Sequence, residues 1–137
     1  MNQKSMAALV AMFNADVLKL PQPEKIQGLS DATFSLTLKQ LNEEISEFEL
    51  ADEQASLASQ ADALLDLVYF ALGALYKMGF TSNEIDDMFV AIHTANMTKT
   101  KGVKASRHVE GAADAVKPDD FHDPKHIIQE IIDGHTI

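Results

Sequence analysis

From Ser5 to Leu18, apolar residues recur at helical spacing, with Met6, Leu9, Val10, Phe13 and Val17 on one side. Pro21 and Pro23 end this helix and open a loop through Leu29. Ser30 or Asp31 is placed to cap a second helix. Its stripe of Phe34, Leu38, Leu41, Ile45 and Phe48 advances in steps of four and three. A third helix is predicted from about Glu53 to Met78, with Leu57, Ala61, Leu64, Leu65, Val68, Leu72 and Leu75 as its stripe. Gly79 closes it, since glycine tolerates the left-handed turn that ends helices. Thr81 and Glu84 have the spacing of a capping box. They open a fourth helix carrying Ile85, Met88, Phe89 and Ile92, which ends near Asn96. Residues 98–122 show no period and no strand pattern. Asp123 and Pro124 then read as a cap and first-turn proline for a last helix, Lys125 to Asp133. The expected fold is all-α: one domain over residues 1–137, a bundle of about five helices with a C-terminal loop and short helix over 98–137.

Two of these helices carry acids where packing disfavours them. From Ala61 to Tyr76 the only charged residues are Asp62 and Asp66, spaced i, i+4 and so stacked on one face. A helix apolar nearly all round is expected to be buried. Buried carboxylates are costly without a cation or hydrogen-bond donors. Two of them about 4 Å apart repel by roughly 4 kcal/mol at an effective dielectric near 20. On the second helix, Glu44 and Glu47 are spaced i, i+3, and Glu43 and Glu47 i, i+4. If the two helices are adjacent, they bring Glu44 and Glu47 opposite Asp62 and Asp66. Such an oxygen-only, anionic site suits magnesium, or manganese in its place. The bland alternative is a solvated acidic face beside a mobile helix start. A ferritin-like di-iron site needs Glu-x-x-His on two helices, and the chain has none.

Composition narrows the classes. With 46% hydrophobic residues, the chain can fold on a core of its own. It has no cysteine, which excludes disulfides, thiolate nucleophiles and cysteine-based zinc sites. No apolar run approaches a membrane span, and no signal peptide is visible, so a cytoplasmic protein without a membrane partner is expected. The net charge of -10 disfavours binding to nucleic acid. Only two helices are long. Burying the third on all sides is easier if two chains share a core, so a homodimer is expected.

The basic residues are unevenly spread. Lys99, Lys101, Lys104 and Arg107 fall within nine positions, just after Asn96-Met97-Thr98. Lysine and arginine donate to phosphate, arginine as a fork. Alone, this is a solvated loop; together with a metal site it becomes a phosphate clamp. The five histidines share no ligand-like spacing, and Asp123-x-x-His126 reads as a cap.

Three elements occur in order: Glu43-Glu44-x-x-Glu47, Asp62-x-x-x-Asp66-Leu67-Val68-Tyr69, and Ala95-Asn96-Met97-Thr98-Lys99. In this they resemble the all-α nucleoside triphosphate pyrophosphohydrolases, the MazG-like superfamily that includes phosphoribosyl-ATP pyrophosphohydrolase. Phe13-Asn14 and Asp114-Ala115-Val116-Lys117-Pro118 extend the likeness to a phage and bacterial subgroup. One element departs. The superfamily's second motif is Glu-x-x-Asp, and here Ala63 precedes Asp66, or Ser59 precedes Asp62, where the glutamate belongs. The resemblance implies hydrolysis of a nucleoside triphosphate, ribo or deoxy, between its α and β phosphates to give the monophosphate and pyrophosphate. Glu44, Glu47, Asp62 and Asp66 would hold magnesium, and Glu43 would take the proton of the attacking water. Lys99, Arg107 and Lys117 would hold pyrophosphate, and Asn96 would orient the sugar or a phosphate oxygen. Tyr69 either lines the base pocket or only packs. Two rivals remain: a hydrolase of another pyrophosphate-bearing nucleotide such as phosphoribosyl-ATP, and an inactive helical dimerisation module.

Overall fold

A computed structural model describes residues 3–136. Five α-helices follow in order: α1 (Met6–Asp16), α2 (Asp31–Glu53), α3 (Leu57–Lys77), α4 (Ser82–Asn96) and α5 (Lys125–Asp133). The fold is all-α, as the periodicity predicts. Between α4 and α5 lies a short antiparallel pair, β1 (Thr100–Lys101) and β2 (Ala115–Val116), which the sequence pattern does not show. Strands of two residues have no room to display a period of two.

The helix starts follow from local chemistry. Ser5 Oγ accepts from the Ala8 N–H at 3.1 Å, and Ser30 Oγ from the Thr33 N–H at 3.2 Å. Each satisfies a first-turn donor that has no intrahelical partner. Thr81 and Glu84 form the reciprocal box: the Thr81 N–H donates to Glu84 Oε1 at 2.8 Å, and the Glu84 N–H donates to Thr81 Oγ1 at 3.2 Å. The start of α3 lies at Leu57, four residues after the expected Glu53. Here α2 ends in a left-handed turn at Ala55, φ 53°, made without glycine, and Ser56 caps α3. This three-residue turn makes α2 and α3 antiparallel neighbours, and they pack along their length.

The chain divides into two compact units. The first runs through Asp86 and takes in His135; the second is Asp87–Gly134. In the first, α3 packs against both α1 and α2. Ala7, Val10, Ala51, Ala63 and Tyr76 are buried there, and Tyr76 donates to the Leu20 carbonyl at 2.7 Å. The loop after α1 lies against the α3–α4 turn. Gln27 donates its N–H to the Met78 carbonyl at 2.9 Å, and a Cβ at Gly79 (φ 103°) would collide with the Lys25 carbonyl oxygen.

Within a single chain the third helix is not buried all round. Leu57, Leu64, Leu65 and Val68 are exposed, Leu65 by 62%. So is much of the predicted α2 stripe, with Phe34 at 57% and Leu38 and Ile45 close behind. Its 21 residues and mean hydropathy of 1.2 also make α3 long and apolar enough, by length and composition, to cross a membrane, contrary to the reading above. Packing on α1 and α2 covers part of it, and a strip of leucine and valine stays bare. Met6, Leu9, Val10, Leu65, Val68, Tyr69 and Leu72 line an apolar groove between α1 and α3.

Near the C-terminus, His135 Nδ1 lies 2.8 Å from both Glu84 oxygens, and its Nε2 lies 3.0 Å from the Glu24 carbonyl oxygen. Both nitrogens face acceptors, so the ring satisfies them only as imidazolium. The hydrogen bond to Glu84 raises the His135 pKa. Burial pushes Glu84 up, but the Thr81 N–H and His135 outweigh it and leave its pKa below the ordinary value. Protonated His135 therefore stabilises the fold fully below its unfolded pKa, and that stabilisation fades as pH rises through the higher folded pKa. His135→Ala should lower Tm clearly at pH 6 and much less at pH 9. Equal losses at both would show that the ring acts by packing alone.

Candidate active site

Glu44 is the central observation. It sits on α2 at 7% exposure, and its Oε2 has no hydrogen-bond partner. Unpaired buried carboxylate oxygens are rare because desolvation is not repaid. Burial pushes Glu44 up to a pKa of about 7, helped by a proton shared with Glu47 and by the charges of Glu47, Asp66 and Asp62. Asp66 is half-buried on α3, and its pKa is raised by burial and by the charges of Asp62 and Glu47. The α2–α3 packing thus brings Glu44, Glu47, Asp62 and Asp66 within electrostatic reach of one another. Among the described residues, no three acidic or histidine side chains converge closely enough to hold a metal ion as they stand.

The distribution of burial differs from expectation. Asp62, expected on a buried helix, is exposed, and Glu44, expected opposite it in the acidic site, is the covered carboxylate. Ala63, where the superfamily's glutamate would precede Asp66, is 1% exposed. A glutamate there would enter the packed side of α3. Glu43 and Glu47 are exposed and line a shallow groove on α2 with Lys39, Asn42 and Ser46. Tyr69 packs edge-on against Phe13, with ring centroids 5.5 Å apart, in the groove between α1 and α3. Asn14, at 2% exposure, donates to the Val10 carbonyl at 2.9 Å and leaves Oδ1 unpaired. The sequence reading noted Asn14 but gave it no role.

Asn96, Lys99, Arg107 and Lys117 belong to the second unit. Asn96 is exposed at the end of α4, and its carbonyl accepts from the Lys99 N–H at 3.0 Å. The guanidinium of Arg107 closes as a fork on Asp114, at 2.7 and 2.8 Å. That contact holds the Asp114 carboxyl far below the usual range. Sequence reasoning missed the pairing, because a seven-residue separation in aperiodic chain does not signal one. Lys99 and Lys117 approach the same ring, Phe121, at 5.7 and 5.0 Å from its centroid. His126 Nδ1 lies 2.7 Å from the Asp123 carbonyl, and Asp123 Oδ1 accepts from the Lys125 N–H, as expected for a helix start.

The helical frame gathers its acids across α2 and α3. Residues 11–96 match the model of the phosphoribosyl-ATP pyrophosphohydrolase family, PRA-PH, and the chain belongs to that family. It is thereby a hydrolase of acid anhydrides acting on a nucleotide-like substrate. The match takes in the acidic residues, Tyr69 and Asn96; Lys99, Arg107 and Lys117 lie beyond it. A search among curated proteins finds no match.

Proposed function

We propose that the protein hydrolyses a nucleoside triphosphate, ribo or deoxy, between the α and β phosphates, giving the monophosphate and pyrophosphate. The observation that carries this is the orphaned, buried Glu44 oxygen among three further carboxylates. A set of oxygens with excess negative charge fits magnesium or manganese, and Glu44, Glu47, Asp62 and Asp66 would hold it. When bound, the ion neutralises phosphate charge and lowers the pKa of a water. Glu43, exposed beside Glu47 in the α2 groove, accepts the proton as water oxygen attacks the α phosphorus. The α-phosphorus–oxygen bond to the β phosphate breaks in line, and pyrophosphate leaves. Lys99 and Lys117 meet its charge. Arg107 joins them only if phosphate displaces Asp114 from its fork. Asn96 orients the sugar or a phosphate oxygen, and Tyr69 meets the base.

The family match favours a second reading with the same bond broken, in which phosphoribosyl-ATP is the substrate. We propose further that two copies associate through the bare apolar faces of α1, α2 and α3. Those faces carry Met6, Phe34, Leu38 and Leu65 in solvent, and burying such surface contributes about 25 cal/mol per Å².

One experiment tests these readings together. Purified protein is incubated with magnesium and each ribo- and deoxynucleoside triphosphate, or phosphoribosyl-ATP, and the products are identified. Pyrophosphate with the matching monophosphate is expected from at least one. Orthophosphate as the primary product would overturn cleavage between the α and β phosphates, and no turnover of any would overturn the enzymatic reading and leave a dimerisation module. Light scattering on the same sample should give twice the 15.0 kDa chain mass. The single-chain mass at micromolar concentration would overturn the dimer.

A further inference from the structure

We infer that Phe121 is a positioning residue, whose ring gathers the ammonium groups of Lys99 and Lys117 into a two-cation clip for a diphosphate anion. This deepens the pyrophosphohydrolase reading and rests on it.

The clip is built by the small hairpin. Thr100 pairs with Val116 and Lys101 with Ala115 in antiparallel register. One step outward, the same register sets Lys99 opposite Lys117. Like charges directly opposite on a ladder destabilise it. The fold nevertheless brings them together and folds the chain back to meet them. The Phe121 N–H donates to the Pro118 carbonyl at 3.1 Å, a turn that returns the ring toward both lysines. Lys117 Nζ stands 5.0 Å and Lys99 Nζ 5.7 Å from its centroid. An aromatic face attracts a cation at this range but leaves its charge intact.

Neither lysine is neutralised. Among the described residues, the ion pairs are Arg107–Asp114 and His135–Glu84. Asp119 and Asp120 follow within three residues of Lys117, yet neither stands within ion-pair distance of it or of Lys99. In the same basic stretch, Arg107 is consumed by a carboxylate while this pair is held on a neutral ring. Two ammonium groups held at 5.7 and 5.0 Å from one ring centroid without a counter-charge fit an anion with at least two charged oxygens, and the leaving pyrophosphate has that chemistry. A phenyl ring also orders two long flexible side chains beforehand, which removes part of the entropy cost of binding.

The test compares Phe121→Leu, which keeps bulk without a π face, with Phe121→Tyr, which keeps the face. Inorganic pyrophosphate is titrated calorimetrically into metal-free protein, and pyrophosphate inhibition of nucleotide hydrolysis is measured in parallel. Phe121→Leu should weaken pyrophosphate in both by about tenfold, with kcat changed less than KM, and Phe121→Tyr should restore it. In the wild-type NMR spectrum, ring current should shift the ε-methylene protons of Lys99 and Lys117 upfield; this reads the geometry without any variant. Unshifted methylenes, or wild-type pyrophosphate affinity in Phe121→Leu, would overturn the clip. If hydrolysis proceeds and Phe121→Leu behaves as wild type, the clip fails and the enzymatic reading stands. If pyrophosphate binds through Phe121 but no nucleotide is hydrolysed, the clip stands and the enzymatic reading fails.

Discussion

Asp66→Ala and Glu47→Ala should each lower turnover by at least about a hundredfold, or roughly 2.7 kcal/mol of barrier, while helical circular dichroism stays as in wild type. Both side chains add negative charge around Glu44, and Asp66 is itself raised by burial and by its acidic neighbours. A group whose ionised form is disfavoured in the fold does not hold that fold together at neutral pH. Its removal relieves repulsion, so the metal-free variants should melt no lower than wild type. The loss should therefore appear in chemistry and not in folding, the pattern expected of a carboxylate kept for a ligand. Glu49→Ala supplies the control: Glu49 is exposed on α2 and is not among the charges acting on Glu44. It should retain full turnover. Wild-type rates in Asp66→Ala and Glu47→Ala would remove these residues from the site, and equal loss in Glu49→Ala would make the effect one of general surface charge.

Magnesium at about 100 times its dissociation constant should stabilise the protein by roughly 2.7 kcal/mol, a rise in Tm on the order of 10 °C for a domain of this size. The gain should depend on pH in a defined direction. Glu44 ordinarily titrates near 4.5 and is raised to about 7 in the fold. Between those values the folded chain keeps a proton that the unfolded chain has released. The metal-free protein therefore loses stability as pH rises through that window. A cation displaces the proton, so its stabilisation should be larger at pH 8 than at pH 6. Glu44→Gln should flatten the metal-free pH profile and reduce the response to magnesium. Scanning calorimetry at the two pH values, with and without millimolar magnesium or manganese, measures all of this. No rise in Tm with either ion would end the metal-site reading, and an unchanged pH profile in Glu44→Gln would assign the proton to another group.

The element boundaries show what local chemistry specifies. Ser30 and the Thr81–Glu84 pair cap helices where their spacing predicts, and α5 spans the expected Lys125–Asp133. A cap bonds to backbone two or three residues away, so its partner is contained in the sequence window itself. Apolar period works the same way, and it identified every helix. Order and spacing of the acidic motifs also carried the family, since those positions survive projection onto one dimension.

Burial and pairing required the tertiary structure. The apolar run of α3 predicted a buried Asp62, but which face of a helix is covered depends on where its neighbours lie. Packing of α2 against α3 covers Glu44 instead, and leaves Asp62 in solvent. The left-handed turn at Ala55 that sets α2 against α3 has no glycine to announce it. Arg107 meets Asp114, and Lys99 and Lys117 meet Phe121, through a hairpin too short to show a period. The sequence by itself determined the helices, the family and the acidic residues. Tertiary packing decided which carboxylate loses water and which cations keep a free charge, because desolvation and ion pairing are set by neighbours distant in the chain.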